Sequence, residues 1–117
     1  MSTVKILHNP RCSKSRQTLT LLEERGIDAE VVEYLKNPLD KKELQQLYKK
    51  LNVDAVIKMM RTKEAEFAQA DLSTTHSSED DLFNAMVTYP KLIERPIVIK
   101  GDQARIGRPP ESVLEIL

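Results

Sequence analysis

The chain has 117 residues, and its 18 acidic and 18 basic residues balance. This length suits one domain over residues 1–117, and the balanced charge gives no field that would attract nucleic acid or a membrane surface. A single cysteine excludes an intramolecular disulfide, and the chain has neither a signal-like apolar start nor an apolar run of bilayer length, so we expect a cytoplasmic protein.

The first third of the chain predicts a strand, a helix and a second strand. Apolar residues at alternating or adjacent positions predict a strand over residues 3–7 and another over 29–34. Between them, leucines recur on one face of a helix predicted over 13–25, and Gly26 provides its stop. A strand, a helix and a strand in this order form a βαβ unit, whose strands run parallel.

The middle of the chain predicts a helical insert over residues 40–88. Asp40 followed by Glu43 is a variant of the capping box, and Ser78 is a good helix cap. Four helical segments are predicted, over residues 41–51, 54–60, 64–72 and 79–88, with a polar loop over 73–78. His76 lies in that loop, and no role is assigned to it.

The last third predicts a hairpin and a helix. Ile97 to Ile99 form a strand, Gly101-Asp102 turns the chain, and residues 103–106 return beside it. Pro109 and Pro110 start a final helix. The element order βαβ, helical insert, ββα is that of an α/β, thioredoxin-like fold with a mixed sheet and a helical insertion between the second and third strands.

The single cysteine, Cys12, falls at the predicted start of the first helix. The first helical turn has unpaired N–H groups and a partial positive charge, which favour a thiolate. Cations and hydroxyl groups flank it: Arg11, Lys14, Arg16, Ser13 and Ser15. Most single cysteines are small buried hydrophobes without chemistry, but this setting argues against that interpretation. We predict a reactive cysteine or a site for an external anion.

Two further patterns bear on the chemistry. Where the redox motif C-x-x-C would have its second cysteine, this chain has Ser15, in the segment Cys12-Ser13-Lys14-Ser15. A second thiol must therefore come from another molecule. Three of the seven arginines fall within residues 95–108. A guanidinium group can hold an oxyanion or carboxylate at two points, although surface ion pairs are the commoner use of an arginine.

Three segments together resemble the glutaredoxin-linked arsenate reductases, the ArsC/Spx family. They are residues 8–16 (HNPRCSKSR), 94–98 (ERPIV) and 107–111 (GRPPE). The similarity runs over essentially the whole chain, with the segments in the right order and spacing. The resemblance implies a catalytic thiolate at Cys12 and an oxyanion site built from three arginines, Arg61, Arg95 and Arg108.

The resemblance also bears on the surroundings of the cysteine. It implies a cis peptide bond between Arg95 and Pro96, a structural proline beside the active cysteine. Family members carry a histidine at the place of His8, which is thought to favour the thiolate; a polar residue at the end of a strand is an equally good interpretation. Cys12, His8 and Ser15 are therefore the candidate catalytic residues.

The mechanism implied by the resemblance uses no bound cofactor and no metal. Cys12 attacks arsenate held by the arginines, glutathione as co-substrate adds to the adduct, arsenic is reduced, and glutaredoxin restores the cysteine. A low thiol pKa provides the thiolate that attacks, and the guanidinium groups stabilise the negative charge that develops on oxygen. The expected partners are arsenate or a similar oxyanion, glutathione and glutaredoxin.

Two other functions stay open, and a third fits poorly. Regulators of the Spx branch bind RNA polymerase, but those with a redox switch carry C-x-x-C, which Ser15 removes. A glutathione-dependent thiol reductase of another substrate would use the arginines to hold a glutathione carboxylate. A cysteine phosphatase needs a C-x5-R loop, whereas Arg16 lies only four residues after Cys12.

Overall fold

A computed structural model describes residues 4–70, 72 and 77–117. Its strands are β1 (Val4–Leu7), β2 (Glu30–Val32), β3 (Ile97–Lys100) and β4 (Gln103–Ile106). They form one sheet in the order β2-β1-β3-β4, in which β1 and β2 are parallel and the other neighbours antiparallel. The predicted mixed α/β sheet is confirmed, and so is the parallel βαβ unit.

The helices lie where the hydrophobic periodicity predicts them. They are α1 (Ser13–Glu24), α2 (Lys41–Leu51), α3 (Ala65–Gln69) and α4 (Glu79–Thr88), with 3-10 helices at Val56–Met59, Pro90–Leu92 and Pro110–Ile116. None of the helices within the described residues is both long and apolar enough to cross a membrane.

Helix boundaries follow from the capping residues. The Asp40 carboxylate accepts from the Glu43 N–H at 2.8 Å, and the Glu43 carboxylate accepts from the Asp40 N–H at 3.1 Å, which completes a capping box at the start of α2. The Ser78 hydroxyl accepts from the Asp81 N–H at 3.1 Å and caps α4. Gly26, with φ of 71°, follows the end of α1.

Several predicted elements are shorter than expected. β2 ends at Val32 because the Glu33 carbonyl accepts from the N–H of Lys36 and turns the chain there. The segments predicted as helices over 54–60 and after Pro109 are 3-10 helices, and the helix predicted over 64–72 spans Ala65–Gln69. Residues 3, 71 and 73–76, which include most of the predicted polar loop and His76, lie outside the described residues.

The sheet separates two hydrophobic clusters. Successive residues of β1 and β3 point to opposite faces, so Ile6 and Val98 pack under α1 and the last 3-10 helix, whereas Leu7 and Ile97 pack under the helical insert. This arrangement fixes the end of β1, and the stretch that follows it, between the two helical layers.

Candidate active site

Cys12 occupies the N-cap position of α1. The turn that precedes it is closed by the Cys12 N–H, which donates to the Asn9 carbonyl at 3.0 Å, and the Cys12 carbonyl accepts from the Arg16 N–H at 3.0 Å. The backbone of Cys12 is extended, and its side chain is partly buried. Its sulfur therefore lies at the mouth of the first helical turn, where free N–H groups are available.

The surroundings of the sulfur favour the thiolate. Burial by itself raises the pKa of Cys12, but the N–H groups of Ser15 and Lys14 and the guanidinium of Arg95 outweigh burial, and the pKa is lowered overall. In addition, Nη2 of Arg108 donates to Cys12 Sγ at 3.6 Å. The low thiol pKa expected from the helix start thus has two sources, backbone N–H groups and arginine side chains.

His8, Asn9 and Ser15 form a buried polar network beside the cysteine. The Ser15 hydroxyl accepts from the Asn9 N–H at 3.0 Å and lies 2.7 Å from Nδ1 of His8. Burial lowers the pKa of His8, with Arg16 acting in the same direction and Glu33 in the opposite one. A neutral His8 would accept the Ser15 proton at Nδ1, which leaves its other ring nitrogen protonated.

The three arginines selected by the family resemblance, Arg61, Arg95 and Arg108, lie together in one cluster. Arg108 Nε donates to the Arg95 carbonyl at 2.9 Å, which joins these two residues directly. Arg61 is brought to them by a short antiparallel pairing, in which its N–H donates to the Leu92 carbonyl at 2.7 Å and the Glu94 N–H donates to the Met59 carbonyl at 2.9 Å.

Two glutamates link these arginines. Glu64 Oε1 lies 2.9 Å from Arg61 Nε and 3.9 Å from Arg95 Nη2. Glu94 Oε1 lies 3.6 Å from Arg61 Nη1 and 4.0 Å from Arg108 Nε. Burial raises the pKa of Glu94 against the opposing effect of the arginines. The five side chains form a partly buried cluster of alternating charge next to Cys12.

Tyr34 is a buried neighbour of Arg95 in this cluster. It is fully buried, and neither its hydroxyl nor Nε of Arg95 has a hydrogen-bond partner among the described residues. Burial raises the pKa of the Tyr34 hydroxyl, whereas the facing guanidinium of Arg95 acts to lower it. Two buried polar atoms of the site, the Tyr34 hydroxyl and Arg95 Nε, are thus left without a partner among the described residues.

Gly107 and Pro96 hold the arginine side against α1. The peptide bonds Arg95–Pro96 and Arg108–Pro109 are both cis. The Gly107 N–H donates to the Pro96 carbonyl at 2.8 Å, and a Cβ at position 107 would lie 2.7 Å from Oγ1 of Thr18 and 2.8 Å from Cγ of Pro96. Only glycine fits this close approach, which places Arg108 within reach of the sulfur.

The sequence of this chain is similar to those of known proteins. The model of the ArsC family matches residues 7–116. An arsenate reductase of Haemophilus influenzae is 51% identical over 115 residues, which are 98% of this chain and 99% of that protein. The uncharacterized protein YfgD of Escherichia coli is 53% identical over 114 residues, 97% of this chain and 96% of that one.

Solved structures give the same result. An arsenate reductase from Vibrio cholerae superposes with a TM-score of 0.96 at 52% identity, covering 99% of this chain and 98% of the other. The chain belongs to the ArsC family. The resemblance drawn from the three sequence segments is therefore confirmed, as is the thioredoxin-like fold class.

Within this ArsC-family fold, the predicted site residues come together as one group. Cys12, Arg95 and Arg108 are in contact or face one another, and Arg61 joins them through the two glutamates. His8 and Ser15 lie behind the cysteine, bonded to each other. The Ser15 hydroxyl is hydrogen-bonded to His8 and Asn9. The group of Ser15 that stabilises the thiolate of Cys12 is therefore its backbone N–H.

Sequence reasoning assigned no role to Glu64, Glu94, Tyr34 or Gly107. Glu94 and Gly107 stand inside the quoted segments, and Tyr34 was expected to lie within the second strand. Glutamates on helical or loop segments are usually solvated, so no local pattern distinguishes Glu64 from the other acidic residues. Glu94, Tyr34 and Gly107 have contacts with segments distant in sequence, which periodicity cannot reveal. Glu64 pairs with Arg61 three residues before it, and only its contact with Arg95 is distant in sequence.

Proposed function

We propose that this protein is an arsenate reductase that uses Cys12 as its nucleophile. One observation carries the proposal: a sulfur with a lowered pKa lies 3.6 Å from Arg108 Nη2 at the edge of a three-arginine cluster. A nucleophilic thiolate and an oxyanion-binding group side by side are what attack on a tetrahedral oxyanion needs. The names of the Haemophilus and Vibrio relatives support the same substrate.

The first step is attack on arsenic. Arsenate lies against the guanidinium groups of Arg95 and Arg108, which hold its oxygens at two points and balance its charge. The thiolate of Cys12 forms the S–As bond, and the As–O bond to a hydroxyl breaks. That oxygen takes a proton and leaves as water. Arsenic remains pentavalent in this covalent adduct.

The reduction needs a second sulfur, because the chain has one cysteine. Glutathione is the proposed co-substrate. Its sulfur bonds to Cys12 Sγ while the S–As bond breaks. The electron pair of the S–As bond stays on arsenic, which leaves as arsenite. The two electrons come from the two thiols, and Cys12 is left as a mixed disulfide with glutathione. Glutaredoxin, which exchanges thiols with such disulfides, is the proposed partner that restores the thiolate.

This proposal requires no bound cofactor, and it places the protein in the cytoplasm, where glutathione is kept reduced. Since Ser15 stands where a second cysteine would form an internal disulfide, the oxidising equivalents must leave the chain through another molecule. The role of His8 in this scheme is to hold Ser15, and so the first turn of α1, in the position seen beside Cys12.

The test is arsenate-dependent oxidation of NADPH in an assay coupled through glutathione reductase, glutathione and glutaredoxin. We expect turnover with all components, none with Cys12→Ser, and loss when either glutathione or glutaredoxin is omitted. Mass spectrometry of the enzyme trapped during turnover should show one glutathione on Cys12. Absence of arsenate turnover with a folded protein would contradict the proposal.

Replacement of the reductant tests arsenate reduction separately from the glutathione mechanism. Full activity with thioredoxin and no glutathione would retain arsenate reduction and exclude the glutathione mechanism. Formation of the glutathione mixed disulfide without any arsenate dependence would instead favour a thiol reductase that acts on another substrate.

A further inference from the structure

The arginine donors beside Cys12 already face carboxylates of the same chain. Each of two glutamates bridges a pair of arginines through one oxygen: Glu64 faces Arg61 and Arg95, and Glu94 faces Arg61 and Arg108, at 2.9 to 4.0 Å. Arg61 contacts both glutamates. A substrate oxyanion that binds these arginines must therefore share them with carboxylates or displace the carboxylates.

The charge of the cluster follows by counting. Three guanidinium groups carry three positive charges and two carboxylates carry two negative charges, so the cluster has a net charge of about one positive unit. With Cys12 as thiolate the sum falls to zero. The cluster therefore offers less attraction to a dianion than three arginines alone would offer, because the Coulomb energy scales with the charges on both sides.

We propose that Glu64 and Glu94 are specificity-determining residues, which compete with the substrate for the arginines and shift the site toward tetrahedral oxyanions of single charge. The inference rests on the proposed function in one respect only, that the arginine cluster is the oxyanion site. Both glutamates form ion pairs with the guanidinium groups, and the side chains of Glu64 and Glu94 are only 27% and 21% exposed.

The competing role is a structural one, in which the glutamates only hold the arginines in place. The two roles differ in sign. If the carboxylates compete, replacing one by a neutral amide of the same shape raises the affinity for anions. If they only orient the guanidinium groups, the same replacement weakens the contacts and lowers that affinity.

The experiment uses two tetrahedral probes of different charge, sulfate with two negative charges and perchlorate with one. Binding is measured as protection of Cys12 from alkylation by iodoacetamide, a neutral reagent, at constant ionic strength and a pH at which the thiolate forms. No turnover is required. The variants are Glu94→Gln and Glu64→Gln, and thermal unfolding confirms that each is folded.

A matched control is available in the same region. Glu66 pairs with Lys91 at 4.0 Å and, within the part of the chain that the structure describes, forms no ion pair with Arg61, Arg95 or Arg108. Glu66→Gln removes the same charge outside the arginine cluster, so its effect on both probes should be small. Comparison with this variant separates a local effect of the carboxylate from a change in the net charge of the protein.

The expected result is a gain in affinity for both probes that is larger for the dianion. Removal of one charge near the site should strengthen perchlorate binding about 3-fold and sulfate binding about 10-fold, since a doubled charge doubles the logarithm of the gain. Equal gains for the two probes, weaker binding in both glutamate variants, or equal effects in Glu66→Gln would overturn the inference. The expected gains in the glutamate variants, together with no arsenate turnover by the folded wild-type protein, would overturn the proposed function alone.

Discussion

The cysteine side of the site is built from neighbouring residues, whereas the arginine side is assembled from three separate segments. His8, Cys12 and Ser15 follow one another along one turn and one helix start, and their hydrogen bonds are short and buried. The arginines follow a 3-10 helix, a short loop and a hairpin, and exposed or partly exposed ion pairs join them. One side is fixed by local backbone, the other by tertiary packing.

This difference predicts how each side responds to substitution. Hydrogen bonds of a buried network contribute to folding, because removal of one partner leaves the other unsatisfied. Solvent-exposed ion pairs contribute about 0–1 kcal/mol each to folding, and the pairs among the arginines, whose side chains are 15 to 32% exposed, are closer to this case than the buried network is. We therefore expect changes on the arginine side to affect activity, and changes behind the cysteine to affect stability.

The largest effect should come from Arg95→Ala. Arg95 faces the sulfur and supplies a guanidinium to the proposed oxyanion site, so kcat/KM for arsenate should fall about 10²- to 10³-fold. Arg95→Lys should recover little, since an ammonium cannot reproduce two-point binding. The coupled assay and a thermal unfolding curve measure both quantities.

Arg105→Ala is the matched control, because Arg105 pairs with Glu115 at 2.9 Å and not with the cluster. It should leave arsenate kinetics unchanged. Unaltered kinetics in a folded Arg95→Ala protein would show that the arginine side does not bind the substrate.

Gly107→Ala tests whether packing fixes the arginine side. A methyl group there meets Thr18 and Pro96 at less than 3 Å, so we expect a loss of about 1–3 kcal/mol in the free energy of unfolding together with weaker arsenate use. Urea unfolding and the coupled assay report the two effects.

Gly26→Ala provides the comparison for Gly107. Gly26 has a positive φ of 71° and nothing near its Cβ, so its replacement should cost stability, by about 1–2 kcal/mol, and leave arsenate kinetics intact. If both glycine variants changed the kinetics equally, the contact with Pro96 would not be what positions Arg108.

Ser15→Ala should act on stability more than on the thiol. Loss of the hydroxyl leaves the Asn9 N–H and His8 Nδ1 without this partner, at a cost of about 1–3 kcal/mol. The backbone N–H of residue 15 remains, so the alkylation midpoint of Cys12 should stay below the free-cysteine value of about 8.5.

Ser13→Ala, at an exposed position of the same helical turn, should change neither the free energy of unfolding nor the alkylation midpoint of Cys12. A Cys12 midpoint at or above the free value in the Ser15→Ala protein would mean that the hydroxyl itself, rather than the N–H, favours the thiolate.

The same contrast explains what could be predicted from the sequence. The strand, turn and helix around Cys12 follow from periodicity, a helix start and capping residues, and they were predicted close to the observed bounds. The three arginines were selected only through resemblance to a family. Glu94 and Tyr34 reach the site by tertiary packing, as does Glu64 in its contact with Arg95, and neither the period of apolar residues nor the local charge pattern carries that information.

The smallest expected effect is on the pH dependence of stability, through His8. Burial, the largest cause, lowers its pKa in the folded protein below the ordinary value of about 6.5. The unfolded chain then binds more protons than the folded one as the pH falls below that value, so the free energy of unfolding must decrease there. The contribution of neutral, buried His8 to the free energy of unfolding is complete at pH values well above about 6.5 and is lost progressively at lower pH.

His8→Gln removes this titration while it keeps a side chain that can accept a hydrogen bond. The variant should be less stable at pH 7, because the bond to Ser15 is altered, yet its stability should change less between pH 6.5 and pH 5 than that of the wild type. Both proteins share every carboxylate, so the difference between their slopes isolates His8. Urea unfolding at several pH values measures it, and parallel slopes would show that His8 titrates as it does in the unfolded chain and that its burial does not disfavour its charge.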